Sequence, residues 1–111
     1  TEAARAQFQM DFLRLLLVIF PKNYGDFALH ISGNSMEPDI PNGSIVFVKK
    51  QSEIPDGISG AFFLNGEVYC KKLLHKDGKA FLCSDNTEYQ PIEVHDGDIL
   101  IVYGKIVKVS C

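Results

Sequence analysis

The sequence predicts a mostly β domain, built as a small curved or barrel-like sheet assembly. Three observations carry this expectation. Short runs rich in β-branched and aromatic residues recur from Phe27 to Val109,. Turn dipeptides separate them, among them Asn42-Gly43, Asn65-Gly66 and Asp77-Gly78,. At least six such runs fit into the chain, and many short strands with frequent turns pack as a sandwich or a small barrel.

The elements follow in order. Residues 1–11 are polar and rich in Ala and Gln, which suits a frayed helix or a leftover linker. Residues 12–20 are apolar at nearly every position except Arg14, so periodicity does not choose between helix and strand,. That stretch is far shorter than a membrane span. Phe20-Pro21-Lys22-Asn23 follows it rather than a small-residue cleavage site, so a packed segment or a partner-facing strand is expected,. Phe27–Ile31 alternates as a strand and leads into Gly33-Asn34. Ser44–Lys49 is the next strand. Ser59–Leu64 and Glu67–Leu74 flank Asn65-Gly66, a strong hairpin signal,. Asp77-Gly78 then turns the chain into Lys79–Cys83. Ile99–Tyr103 and Lys105–Val109 close the fold, with Gly104 expected as a bulge or kink between them,. Residues 1–20 are thus a residual linker or interface segment, and residues 21–111 the functional domain.

The chain of 111 residues suits one compact domain, and a hydrophobic content of 46% is enough for a core without disulfides or metal,. A net charge of −3 and scattered lysines argue against a direct grip on nucleic acid,. Any DNA contact would belong to an upstream domain. Cys70, Cys83 and Cys111 lack the spacing of a zinc site or a disulfide framework, so three reduced thiols in a cytoplasmic protein are expected, with no metal and no cofactor,.

One segment could carry chemistry: Gly33-Asn34-Ser35-Met36-Glu37-Pro38. Gly33 and Asn34 favour a tight path after a strand, Met36 anchors it, and Pro38 stiffens the exit. A hydroxyl on such a turn, beside backbone N–H groups, suits attack on a carbonyl. The same residues also make ordinary polar turns. A serine nucleophile needs a base. His30 reads as a strand-face residue, and His75 and His95 lie among turn residues. The other available base is a neutral lysine, produced when burial disfavours the ammonium. Lys71 and Lys72 lie in Glu67–Leu74, where alternation places Lys71 with Tyr69 and Leu73, and Lys72 with Val68 and Cys70,. Both faces are apolar, so alternation does not choose. Two solvated edge-strand charges would read the same way.

An ordered series of motifs resembles the self-cleaving serine peptidase family of LexA, UmuD and the lambda-type repressors. It runs through His30-Ile31-Ser32-Gly33-Asn34-Ser35-Met36-Glu37-Pro38, then Asn42-Gly43-Ser44-Ile45-Val46, then Gly66-Glu67-Val68-Tyr69-Cys70-Lys71-Lys72-Leu73. Ser84-Asp85-Asn86-Thr87-Glu88-Tyr89 and Tyr103-Gly104-Lys105-Ile106-Val107 complete it. The similarity covers about Pro21 to Val109. The resemblance implies Ser35 as nucleophile and Lys71, 36 residues later, as general base. It implies the backbone N–H groups of Ser35 and Met36 as oxyanion donors. The implied activity is cleavage of the protein's own upstream loop, stimulated by RecA filaments, in a homodimeric transcriptional repressor of the phage CI-like kind. An antirepressor is a further implied partner, and no membrane is involved.

There are departures. The family's usual Ala-Gly or Cys-Gly scissile pair is absent, which implies a cleaved product or a shortened chain. Thr87 replaces the usual Pro of the Ser-Asp-Asn loop. Residues 8–20 match no family motif and are expected to pack in the substrate region or on a partner subunit. Two other functions compete: a non-proteolytic oligomerisation or antirepressor-binding module, and a type I signal peptidase, whose membrane anchor has no counterpart in the sequence.

Overall fold

The structure, a computed structural model, describes residues 5–7 and 25–110. The apolar stretch 12–20 lies outside the described residues, as does Cys111. The strands are β1 (Arg5–Gln7), β2 (Phe27–Ser32), β3 (Ile45–Lys50), β4 (Ser59–Leu64), β5 (Glu67–Lys76), β6 (Lys79–Cys83), β7 (Ile92–Val94) and β8 (Leu100–Ser110). Among the described residues there is no helix. All neighbouring strands are antiparallel and form one sheet in the order β1-β2-β3-β8-β4-β5-β6-β7. The sheet curls until β1 also meets β5, where Arg5 pairs with Tyr69. The fold is therefore the expected mostly β, barrel-like assembly.

Local chemistry explains the two hairpins that frame β5. Asn65 and Gly66 have φ of 49° and 94°, and Asp77 and Gly78 have φ of 53° and 74°. Left-handed backbone at both central positions is what a tight hairpin matched to strand twist requires. Asn and Asp tolerate it and Gly adopts it freely. These turns fix the registers Ala61↔Cys70 and Leu73↔Leu82. Register in turn fixes which side chains of β5 point inward.

Side chains pack on both faces of β4. Ala61 joins Leu29, Ile31, Met36, Ile40, Val46, Val48 and Cys70 in one cluster. Phe62 points the other way and packs with Leu64, Leu73 and Leu82. Adjacent residues of one strand thus serve two cores, as strand geometry demands.

Three expectations change. Arg5–Gln7 is a strand, so the helix considered for residues 1–11 does not hold there; sheet pairing with β2 decides it. Short β7, which no sequence pattern marks, pairs with β6. The two closing strands are one strand, β8. Phe47 pairs with Lys108 and Val48 with Ile106, which skips Val107, and Ala61 pairs with Gly104 and Phe62 with Val102, which skips Tyr103. The irregularities flank Gly104 without breaking the strand.

Gly104 itself sits where backbones meet most closely. A Cβ there would run into the Lys49 carbonyl oxygen and come within 2.9 Å of Val48 Cγ1. Backbone cannot swing aside as a flexible side chain can. Gly104→Ala is therefore expected to destabilise the fold by about 3 kcal/mol, through overpacking and loss of β3–β8 pairing. Urea denaturation measures this, and a loss below about 0.5 kcal/mol, ordinary for a tolerant surface position, contradicts it.

Candidate active site

The turn after β2 carries Ser35. Its backbone closes on itself through Glu37 N–H to the Asn34 carbonyl (3.2 Å) and Ile40 N–H to the Met36 carbonyl (2.8 Å). Asn42 Oδ1 accepts from Gly33 N–H at 2.8 Å, and Glu37 Oε2 accepts from Asn42 N–H at 3.2 Å. The Glu37-Pro38 peptide is cis. Met36 and Ile40 are buried in the first core and pin the turn from below. Ser35 is itself buried, with 0% exposure.

Lys71 comes from the middle of β5, on the face shared with Leu73. Its Nζ lies 2.6 Å from Ser35 Oγ and 2.7 Å from Ser84 Oγ. The Tyr89 ring lies under the amine, 5.6 Å from Nζ to the ring centre. Lys71 is 1% exposed. Burial pushes its pKa down to about 8; the neighbouring Cys70, Asp85 and Cys83 only partly oppose that shift,. An amine in this range is available in its neutral form near physiological pH.

Lys72 has the opposite environment. Its Nζ pairs with Asp85 Oδ1 at 2.8 Å and reaches Asp39 Oδ2 at 4.0 Å. The Asp85 bond raises its pKa, so it stays an ammonium. The choice that alternation left open is made by what each face of β5 meets: Lys71 meets Ser35 and Ser84, and Lys72 meets Asp85 and Asp39.

The histidines keep other company. His75 Nδ1 lies 2.8 Å from Asp56 Oδ1 on the exposed end of β5. His95 is exposed, 3.6 Å from Glu93. His30 is a half-buried residue of β2 opposite Ile45.

The loop after β6 completes the arrangement. Asn86 N–H donates to the Ser35 carbonyl at 2.8 Å, and Asn86 Nδ2 donates to the Asn34 carbonyl at 3.1 Å. Tyr89 Oη donates to Asn34 Oδ1 at 2.6 Å. Sequence reasoning quoted Ser84, Asn86 and Tyr89 as a motif and gave them no task. Their order after a hairpin strand was the available signal, but Ser84 meets Lys71 on the preceding strand and Asn86 and Tyr89 meet Asn34, 52 and 55 residues earlier, and no local pattern shows such contacts,.

Cys70 is a buried free thiol whose pKa burial pushes up to about 12, and Cys83 is a half-buried free thiol. Among the described residues, no group of His, Cys, Asp and Glu side chains could hold a metal ion. Among the same residues, no helix is long and apolar enough to cross a membrane.

A serine hydroxyl and a buried lysine amine at hydrogen-bond distance can together perform base-assisted nucleophilic attack. Comparison with known proteins bears on the same point. Residues 2–107 match the family described as Peptidase S24-like. The chain belongs to that family. Relatives of this peptidase S24-like chain include the LexA repressor of Thermosipho melanesiensis, 39% identical over 82 residues, covering 73% of this chain and 41% of that protein. The LexA repressor of Thermosipho africanus is 38% identical over 88 residues, covering 78% and 44%. The LexA repressor of Petrotoga mobilis is 33% identical over 101 residues, covering 87% and 48%. The domain is thus a C-terminal domain of the LexA/UmuD type. The chain spans less than half the length of each of these relatives.

Proposed function

We propose that this chain is the self-cleavage and dimerisation domain of a transcriptional repressor, with Ser35 as nucleophile and Lys71 as general base. The observation that carries the reading is the 2.6 Å approach of Lys71 Nζ to Ser35 Oγ, with both groups withdrawn from water. In the neutral amine, the Nζ lone pair takes the Ser35 proton as Oγ attacks the scissile carbonyl. The backbone N–H groups of Ser35 and Met36 receive the developing oxyanion. The resulting ammonium gives its proton to the departing amine, and an acyl-serine remains. Water, deprotonated by the again neutral Lys71, hydrolyses that ester and restores the free hydroxyl.

The substrate is a peptide bond in a loop upstream of the domain. A RecA filament favours the loop-in state and so raises the cleavage rate by population shift. Residues 21–111, with β1 paired onto their sheet, form the self-cleaving and dimerising unit, and the rest of residues 1–20 is a residual linker or interface segment. The whole protein is a cytoplasmic homodimer of the phage CI-like kind that contacts DNA through an upstream domain, because paired DNA-binding domains read paired half-sites. An antirepressor is a further partner.

Cleavage in trans tests the reading. Full-length wild-type protein is mixed with a full-length Ser35→Ala copy, tagged so that its fragments are separable on a gel. Scission of the Ser35→Ala copy by wild type, and none by a Lys71→Met copy, is expected. Absence of scission at any pH by folded dimers would favour a non-proteolytic oligomerisation or antirepressor-binding module. Lys72→Ala is expected to lose far less than Lys71→Met, within about tenfold of wild type, since Lys72 Nζ pairs with Asp85 and Asp39 rather than with Ser35 and a lost half-buried ion pair costs on the order of 1 kcal/mol,. Equal loss in Lys72→Ala and Lys71→Met would misassign the base.

A further inference from the structure

Lys71 touches two hydroxyls, and the catalytic cycle uses only one. We propose that Ser84 is a positioning residue that holds the Lys71 amine so that its lone pair faces Ser35; this inference rests on the Ser35–Lys71 reading above. A neutral amine has two N–H donors and one lone pair. To accept the Ser35 proton, the lone pair must point at Ser35 Oγ. Something must then accept an N–H and fix rotation about the last bond of a flexible side chain. Ser84 Oγ, 2.7 Å away, is in place to do this.

The backbone supplies the rigidity. Cys83 closes β6 opposite Lys72, so register sets Ser84 next to the Lys71 side chain. The next two residues are tied as well: Asp85 to Lys72 at 2.8 Å, and Asn86 N–H to the Ser35 carbonyl at 2.8 Å. Three consecutive residues thus grip the base, its neighbouring lysine and the nucleophile turn. The Tyr89 ring closes the remaining side of the amine. Ser84 does not touch the scissile bond in this scheme and acts only through Lys71.

A positioning role has a signature that mere structural support lacks. The titratable groups facing the amine are Cys70 on its own strand, Cys83 on β6, and Asp85 and Tyr89 in the loop after β6; all remain in a Ser84 variant. Removing the Ser84 hydroxyl takes an acceptor from the ammonium, which favours the neutral amine. It also leaves that amine free to rotate away from Ser35. Ser84→Ala should therefore lower the alkaline plateau of self-cleavage about 10- to 100-fold. It should also move the midpoint of the pH profile to lower pH by about one unit.

The experiment measures self-cleavage of the full-length protein against pH for wild type, Ser84→Ala, Ser84→Thr and Lys71→Met, with thermal melting as a check of folding. A lowered plateau with an acid-shifted midpoint in Ser84→Ala, and recovery of both in Ser84→Thr, is the expected result. If Ser84→Ala fails to fold, Ser84→Cys, a weak acceptor of similar size, should show the same two changes in smaller degree. A wild-type profile in Ser84→Ala, or a lower plateau with an unmoved midpoint, would overturn the inference while leaving the dyad intact. Cleavage by Lys71→Met would instead remove the reading beneath it.

Discussion

Ser35→Ala and Lys71→Met are each expected to reduce self-cleavage at least about 1000-fold, the scale on which members of a nucleophile–base pair fail when either is removed. The reason is the shared proton. Ser35 Oγ is a weak nucleophile until a base takes its hydrogen, and Lys71 Nζ is the amine within 2.6 Å of it. Methionine matches the length and apolar stem of lysine but offers no basic lone pair, so the substitution removes the base without opening a cavity. The two residues act as a unit, so the double variant should be no slower than either single one. Gel densitometry over hours resolves this range. Residual cleavage in Lys71→Met within about tenfold of wild type would mean that another group, or water alone, removes the proton.

Cleavage should rise with pH and level off once Lys71 is neutral. With a folded pKa of about 8, the rate climbs about tenfold per unit below that value and is flat above it,. The same depression has a consequence for stability. The unfolded chain binds a proton at Lys71 up to its ordinary value of 10.5, whereas the folded chain releases it near 8. Between those values the unfolded state holds more protons, so the fold gains stability as pH rises. The destabilisation is fully present below pH 8 and relieved by about 10.5. Its upper size is about 3 kcal/mol, from the shift between those two values,. Urea melts of wild type and Lys71→Met, subtracted at each pH, isolate the term because the other groups are common to both chains. Wild type should gain on Lys71→Met across this window. A constant difference from pH 7 to about 10.5 would show that Lys71 titrates alike in both states.

Much of this was legible in the sequence because it is local. Asn65-Gly66 and Asp77-Gly78 have the backbone that such dipeptides imply, and from them follow the hairpins and the register of β5. Gly33-Asn34-Ser35-Met36 reads as an anchored turn, and Met36 is indeed fully buried beneath Ser35. What escaped is non-local. Alternation saw apolar neighbours on both sides of Lys71 and Lys72. Only the meeting of β5 with the turn after β2 and the loop after β6 separates a buried amine from a rim ammonium. The role of Gly104 was half visible: glycine suggested an irregularity, but the close approach of Lys49 is a property of the closed sheet. β1 carries no strand signal of its own and exists by pairing with β2 and β5.

The most direct test is the titration of Lys71 itself, followed by NMR of the ¹³Cε carbon in the full-length Ser35→Ala protein, which cannot consume itself. A midpoint at or below about 8 is expected, at or slightly acid of the wild-type cleavage midpoint because the Ser35 hydroxyl, 2.6 Å from Nζ in wild type, no longer accepts from the ammonium,. A Lys71 midpoint near the ordinary lysine value of 10.5, with cleavage already at its plateau well below that pH, would contradict the account.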